Sequence, residues 1–474
     1  MAVTKITEKF TDKKRKFNSY ISNPQIFNCD DFNIIKLFQY AIFREEGFNA
    51  RPYWKLPIIF LNVILWIKRL RVKNKVRIQK NEKCKIFIGD CERYVLNREN
   101  KPLSRYFGNL LQVLDRNKII YVKTNQFNSP LKYDVDVSNL YDYYSVLPLT
   151  KDDIRLLKNL KKTYKKIILN LNLDDSKIKI LSEVIEIFWR EYRMYRALLK
   201  YYPNLKLSFL FPHYQNESLI YALRRKGIKI IELQHGLIAN EDMFYVYDKK
   251  ILEVKEKALF ADEMWVYGRY WKDILLNGYE YDEKQIKIFG YYLYYEKNFS
   301  DAFQQEINKI KQKYPFVILA TAQKNLEQHL AEYINFLLQD ANQKKQKFAL
   351  IIKEHPSAAQ STIDFINVSK ENVFVMNYPI EWLFQVCDAH FSIYSTTLYD
   401  ALMFNIQRNF ALKHPLFSDY VESIVNKGIA KELLPTENLL DKISLSDSTT
   451  SSLNVEYFYS PAKFDLLKEY TENL

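Results

Sequence analysis

A chain of 474 residues is long for a single hydrophobic core and suits two domains of about 200 residues each. An apolar fraction of 48% beside 27% charged residues excludes extensive disorder, and four cysteines (Cys29, Cys84, Cys91 and Cys387) with no C-x-x-C pair or zinc-like spacing exclude a disulfide framework and a structural zinc site. A net charge of +14 and a pI near 9.1 raise the question of nucleic acid, but no recognised binding module accompanies the charge, so none is expected as a partner.

The stretch MAVTKITEKFTDKKRKF at the N-terminus is charged and has no apolar core behind it, which predicts no secretory signal and a reducing, cytoplasmic setting. The start of the chain and the Ser/Thr-rich segment Ile443 to Asn454 predict poor order. The apolar run LPIIFLNVILW (Leu56 to Trp66) is roughly half the length a bilayer crossing needs. Lys68, Arg69, Arg71, Lys73, Lys75, Arg77, Lys80 and Lys83 follow it, with Glu82 the only acid among them. The segment 56–83 therefore has two readings. It is an interfacial anchor that holds the protein peripherally on the anionic inner face of the cytoplasmic membrane, or it is a buried helix followed by a solvated basic linker.

Beyond it, short apolar bursts alternate with longer amphipathic stretches. CKIFIGD (from Cys84) and KIIYVKT (from Lys118) have strand character, with the helical RYFGNLLQVLD between them. The helical stretch Ser176 to Tyr202 leads to LKLSFLF, then to a helix stopped by Gly227, and then to IKIIELQHG, DEMWVYG, RYWKDILLNG and IKIFG. A polar linker is placed at Tyr291 to Tyr314, and a second alternation follows: FVILATA, a helix over 325–340, FALIIKEHP, NVFVMN, PIEWLFQVCD, a strand reaching Tyr394, TTLYDALMFN and QRNFALKHP. The pattern predicts an α/β protein with two doubly wound Rossmann-like domains facing across a cleft. An acceptor-side domain is expected over 1–300, a second domain over 301–440, and a tail over 441–474 that returns to the first.

Ligands of such sheets bind beyond the carboxyl ends of the strands, which directs attention to polar residues placed there. In IELQHG, His235 follows a strand and precedes Gly236, a residue that tolerates a tight turn; His235 suits a general base or a donor to an anion, and equally a satisfied corner histidine. Gln234 and Gly236 are candidate substrate contacts, as is His213 in FPHYQNES. Glu232 and Asp90, acidic residues near strand ends, are candidate catalytic groups beside His235. In KEHPS, Lys353, His355 and Pro356 stand at a strand end. Ser395, Thr396 and Thr397 open a helix, where hydroxyls and free N–H groups suit an anion or serve as an ordinary N-cap. His414, His329 and His390 read as turn or packing residues.

The motifs QHG, KEHP and YSTTLYDAL together resemble GT-B glycosyltransferases and glycerophosphotransferases of bacterial surface-polymer synthesis, over roughly Leu207 to Pro415. That group includes teichoic-acid and capsule polymerases and His-Pro sialyl- and polysialyltransferases. The resemblance implies that Lys353, His355 and Pro356, with Ser395, Thr396 and Thr397, bind a nucleotide-activated donor of CMP, CDP or UDP type, with no further cofactor and no metal. It implies transfer of a sugar to a surface polysaccharide or lipid-linked glycan, with His235 as base or donor-phosphate contact. Two departures leave the base open among His235, Glu232 and Asp90. Ile393 stands where teichoic-acid relatives carry Asp, and the acidic motif of polysialyltransferases is missing around Asp90. A CDP-glycerol-type glycerophosphotransferase and a non-catalytic subunit of a polysaccharide assembly complex are the alternatives. A nucleotide-sugar 2-epimerase is not expected, because no Gly-Gly phosphate turn is present.

Overall fold

The computed structural model describes the chain except residues 1–9, 45–47, 49, 72–77, 91–92, 98, 100, 125–128, 357, 359, 416–417, 436–437, 445–452 and 473. Cys91, Lys73, Lys75, Arg77 and most of the Ser/Thr-rich segment lie outside the described residues. The chain divides into two compact units. The larger comprises Lys13–Tyr94, Pro102–Tyr294 and Ser460–Leu474; the smaller is built mainly from Tyr295–Tyr459.

The larger unit holds a seven-stranded parallel sheet of β1 (Ile86–Asp90), β2 (Ile119–Lys123), β3 (Val135–Asp136), β4 (Leu207–Leu210), β5 (Lys229–Leu233), β6 (Glu263–Val266) and β7 (Ile286–Ile288). Its spatial order is β7-β6-β5-β4-β1-β2-β3. Chain order reverses between β1 and β4, which pair in parallel, so the switch point lies there. Every residue of β1 and β2 is buried, as expected when helices cover both faces of a parallel sheet.

Before and between the strands, helices α1 (Ile35–Phe43), α2 (Ile58–Arg71), α3 (Lys151–Asn170), α4 (Asp175–Leu198) and α5 (Glu217–Arg224) supply the covering layers. Thr150 and Asp153 form a reciprocal capping box at the start of α3, and Asp174 caps α4 through the Lys177 amide. A 3-10 turn over Leu199–Tyr201 ends α4 ahead of Pro203, shorter than the sequence pattern suggests. Gly227 ends the segment after α5 at φ +67°, a left-handed conformation that suits glycine.

The smaller unit carries six parallel strands: β8 (Val317–Thr321), β9 (Ala349–Lys353), β10 (Val373–Val375), β11 (Ala389–Ser392), β12 (Arg408–Leu412) and β13 (Lys431–Leu433). The order β10-β9-β8-β11-β12-β13 places its switch point between β8 and β11. Both units are thus doubly wound and Rossmann-like, and the fold class is α/β.

Two expectations are corrected, and two strands are added. The linker placed at 291–314 is largely α6 (Asp301–Lys313), capped by Ser300 through the Phe303 amide and anchored by buried Phe303, Ile307 and Ile310. Three apolar residues on one face suffice to dock a helix whose other positions are charged. The strand expected to reach Tyr394 stops at Ser392. Strands β3 and β13 were not expected; each is two or three residues long with charged members, too short for an alternating pattern.

Ser460–Leu474 packs with the larger unit. The Ser460 amide donates to the Tyr267 carbonyl at 2.9 Å, Tyr291 N–H to Ser460 O at 2.8 Å and Lys463 N–H to Phe289 O at 2.7 Å, while the Tyr470 ring meets Trp265 edge-on. Gly290 takes φ +92°, and a Cβ there would lie 2.1 Å from the Pro461 carbonyl oxygen. Gly290→Ala should therefore push the C-terminal segment off and cost about 2–4 kcal/mol. Thermal melting checks this: the substitution should lower the midpoint by several degrees, and an unchanged midpoint would refute the tight approach.

Candidate functional site

Parallel pairing of β1, β4 and β5 brings their carboxyl ends to one edge of the larger sheet. Asp90 ends β1. Three residues beyond β4 comes His213, and two beyond β5 comes His235. Glu232, on β5 itself, is fully buried and anchors a network. Its Oε2 lies 2.5 Å from His213 Nδ1 and accepts from the Tyr281 hydroxyl at 3.3 Å; its Oε1 accepts from the Tyr245 hydroxyl at 2.8 Å and from the His213 amide at 3.2 Å. Beyond His213, Nε2 stands 3.5 Å from the Glu280 carboxyl.

His235 faces the other side of Tyr245. Its Nδ1 is 3.5 Å from the Tyr245 hydroxyl, its Nε2 is 3.3 Å from the Tyr214 hydroxyl, and its ring stacks on Phe211 with centroids 5.8 Å apart. Since Tyr245 gives its proton to Glu232, it can only accept from His235. The proton of a neutral His235 then sits on Nδ1, and the Nε2 lone pair faces the Tyr214 hydroxyl, which can donate to it. His235 remains partly exposed, whereas His213 and Glu232 are sealed from solvent.

Electrostatics sorts these groups. Burial pushes Glu232 up, but the opposing charge and hydrogen bond of His213, with Tyr245 and Lys36, outweigh it and leave the carboxyl below its ordinary value. Burial lowers His213 below its ordinary value, and it lowers His235 to about 4, so the His235 imidazole is neutral at pH 7. Burial also holds Glu280 well above the carboxylate range and depresses the Lys36 ammonium, which lies 4.8 Å from the Phe260 ring centre. Neither Lys36 Nζ nor the Glu280 oxygens have a hydrogen-bond partner among the described residues. Glu217, also buried near Lys36, is raised by burial to about 7.

The other sequence candidates of this unit have structural partners. Gln234 is buried and pins the turn. Its amide donates to Gly236 O at 2.9 Å, its side-chain oxygen accepts from the Tyr267 amide at 2.9 Å, and its carbonyl accepts from the Tyr292 hydroxyl at 2.8 Å. Gly236 is absent from the left-handed glycines, which are Gly227, Gly290 and Gly428, so the turn does not use the freedom expected of it. Asp90 is buried and accepts from the Tyr121 hydroxyl. Glu232 and Asp90 are therefore inaccessible as direct proton acceptors, and Glu232 acts through Tyr245 and His213. Sequence reasoning passed over Tyr214, Tyr245 and Glu280, whose loops reveal no pattern. The expectation that the chain has no D-x-D cluster is corrected, since Asp134 to Asp136 has that spacing. There Asp134 pairs with Arg116 at 2.7 Å and Asp136 with Lys123 at 3.1 Å while capping the next helix. Among the described residues no group of three His, Cys, Asp or Glu side chains is arranged to hold a metal ion.

In the smaller unit, Lys353 ends β9 and is followed by Glu354, His355 and Pro356. Glu354 closes the loop by accepting from Ser361 Oγ at 2.8 Å, the Thr362 amide at 2.7 Å and Thr362 Oγ1 at 2.9 Å, while Lys353 and His355 stay partly exposed and Pro356 exposed. Helix α7 (Glu327–Lys344) follows β8, and α8 (Thr396–Met403) follows β11. Ser395 caps α8, its hydroxyl accepting from the Thr397 amide at 3.2 Å. Thr397 turns inward: its Oγ1 meets Thr321 Oγ1 at 2.8 Å across the switch point, and Thr321 in turn meets His390 Nε2 at 3.0 Å. His390 is buried against Asn409, a structural histidine as expected. Thr396, in the first turn of α8, stays partly exposed.

The two sheets define a two-unit Rossmann-like α/β protein. No protein-family model matches the chain, and no curated protein matches it. Among solved structures it is similar to the S. aureus MnaA–UDP co-structure (TM-score 0.48, 11% identity, covering 82% of this chain and 98% of that one). It is similar to UDP-GlcNAc 2-epimerase from Methanocaldococcus jannaschii (TM-score 0.47, 10% identity, 82% and 99%). A glycosyltransferase from Rickettsia africae ESF-5 is more distant (TM-score 0.39, 12% identity, 82% and 93%). These similarities are remote, and the fold assignment rests on the strand order given above.

The buried carboxyl of Glu217 generates a pH prediction. Its folded-state pKa, about 7, lies above the ordinary 4.5, so between these values the folded protein binds more protons than the unfolded chain. Stability is then fully present below pH 4.5 and is lost as pH rises through about 7, by roughly 3–4 kcal/mol at most. Melting against pH should show Glu217→Gln and the natural protein coinciding near the acidic limit, with the variant more stable above neutrality. Parallel curves would show that Glu217 does not titrate there.

Proposed function

We propose that this protein is a nucleotide-sugar-dependent glycosyltransferase of GT-B type that acts on a surface polysaccharide or a lipid-linked glycan. The observation that carries the reading is His235: a partly exposed imidazole at a strand end, its Nδ1 proton directed to Tyr245 and its Nε2 facing the Tyr214 hydroxyl, whose place an acceptor hydroxyl would take. An acceptor hydroxyl loses its proton to such a nitrogen, and the tautomer is fixed by the Tyr245–Glu232–His213 chain behind it. His213 and Glu232 are positioning residues, because neither can touch a substrate.

The smaller unit takes the activated donor. Lys353 and His355 at the end of β9, and Thr396 with the amide-rich start of α8, supply cationic and hydrogen-bonding groups for the phosphates of a CMP, CDP or UDP leaving group. Ser395 and Thr397 support this place from within, since their hydroxyls are engaged with the helix start and with Thr321.

Thermal shift and calorimetry with CMP, CDP, UDP and GDP test the donor half. One nucleotide at a hundredfold excess over its Kd should stabilise the natural protein by about 2.7 kcal/mol, and His355→Ala should abolish the effect. Binding by none of them would end the transferase reading and favour a non-catalytic subunit. The base is tested by turnover. His235→Ala should lower kcat by about 10²–10⁴ with nucleotide binding intact, and Tyr245→Phe by on the order of tenfold. Conversion of UDP-GlcNAc to its 2-epimer without an acceptor would replace this reading with an epimerase, and transfer of glycerol phosphate from CDP-glycerol would replace it with a phosphotransferase.

A further inference from the structure

Helix α2 is built inside out. Its inner side is narrow: Leu61 and Leu65, one turn apart, are buried in the core of the larger unit. On the opposite side Ile59, Phe60, Val63, Trp66 and Leu70 are 76%, 62%, 49%, 62% and 67% exposed. At 100° per residue these five fall on one arc of about 120°, centred away from Leu61 and Leu65. A surface helix ordinarily turns its apolar stripe inward and its polar residues to water, and an apolar face this continuous marks a surface that meets something other than water.

The helix is held firmly in this orientation. Lys161 donates to the Leu56 carbonyl at 2.6 Å just before α2, Lys55 donates to the Tyr164 hydroxyl at 2.8 Å, and Lys68 lies 3.9 Å from the centre of the Tyr53 ring. The outward face is therefore fixed by the packing of its neighbours.

We propose that α2 seats the protein on an anionic lipid bilayer, with this face dipping into the headgroup and upper acyl region. Three observations select lipid. The helix spans 14 residues, about 21 Å, which suits a segment lying in the plane of the interface, and among the described residues no helix is long and apolar enough to cross a membrane. The face carries Trp66 and Phe60, and aromatic rings favour the boundary between water and acyl chains. Along the sequence, Lys68 to Lys83 contains eight Lys and Arg against the single acid Glu82, a composition that favours an anionic surface. Charge also disfavours a second copy as the occupant, because two copies of a chain with net charge +14 repel each other. The inference is independent of the transferase reading, since lipid binding requires neither donor nor acceptor.

Flotation of the full chain with vesicles tests it, comparing phosphatidylcholine alone with two parts phosphatidylcholine to one part phosphatidylglycerol. The natural protein should float with the anionic vesicles and be released partly by high salt. The double substitution Phe60→Ser and Trp66→Ser should weaken binding on the order of tenfold or more at every salt concentration. Arg69→Glu should weaken it chiefly at low salt. All these positions are exposed, so thermal midpoints should stay near that of the natural protein, and that measurement separates lost binding from lost folding. Failure of the natural protein to float, or equal flotation of the correctly folded double variant, would overturn the proposal. So would a dimer in light scattering that the double substitution dissociates, because the face would then be occupied by a second copy.

Discussion

An ionised carboxylate removed from water must have its lone pairs met by donors, and Glu232 is such a group. Four donors converge on it: the His213 ring and amide, the Tyr245 hydroxyl and the Tyr281 hydroxyl. They come from the segments after β4, β5 and β6, so a single buried charge ties together three connections of the larger sheet. The orientation of His235 follows from this arrangement. Tyr245 is committed to Glu232, and its remaining acceptor capacity decides which nitrogen of His235 keeps the proton. Removal of the carboxylate would leave two buried hydroxyls and an imidazole without their acceptor, so the site and the stability of its scaffold share one interaction.

The smaller unit solves a related problem with neutral groups. Its switch point is bridged by Thr397, Thr321 and His390, with Asn409 completing the chain and donating to the Leu398 and Ile429 carbonyls at 2.7 and 2.9 Å. This fastens the first turn of α8 to the end of β8, while Thr396 remains at the surface. Burying hydroxyls and an amide that satisfy one another avoids the desolvation of charge, and the exposed end of the sheet is left for Lys353 and His355. The two units therefore share a topology but differ in how their sheet edges are stabilised.

Much of the fold was legible in the sequence because parallel strands covered on both faces are short continuous apolar runs, and KIFIG, IIYV, KIIEL and FALII are of that kind. The order of the motifs also located the strand ends, and hence His213, His235, His355 and Ser395. What periodicity could not show were pieces stabilised by few contacts, such as β3, β13 and the helix α6 inside a charged stretch. Nor could it tell an accessible acid from a buried one: Glu232 and Asp90 both lie near strand ends, and only packing reveals that each is sealed and hydrogen-bonded.

The sequence by itself determined the two alternations of β and α, the apolar run at Leu56 to Trp66 with its basic continuation, and the residue types at the carboxyl edges, because these depend on local order along the chain. Tertiary structure decided which side of α2 faces water, since the same amphipathic pattern permits either a buried or an exposed stripe until Leu61 and Leu65 find the core. It also decided the chemistry around His235. Tyr214, Tyr245 and Glu280 are distant from one another in the chain or carry no motif, and their effect on a histidine exists only once the folded sheet edge places them within hydrogen-bond or electrostatic reach of it or of its partners.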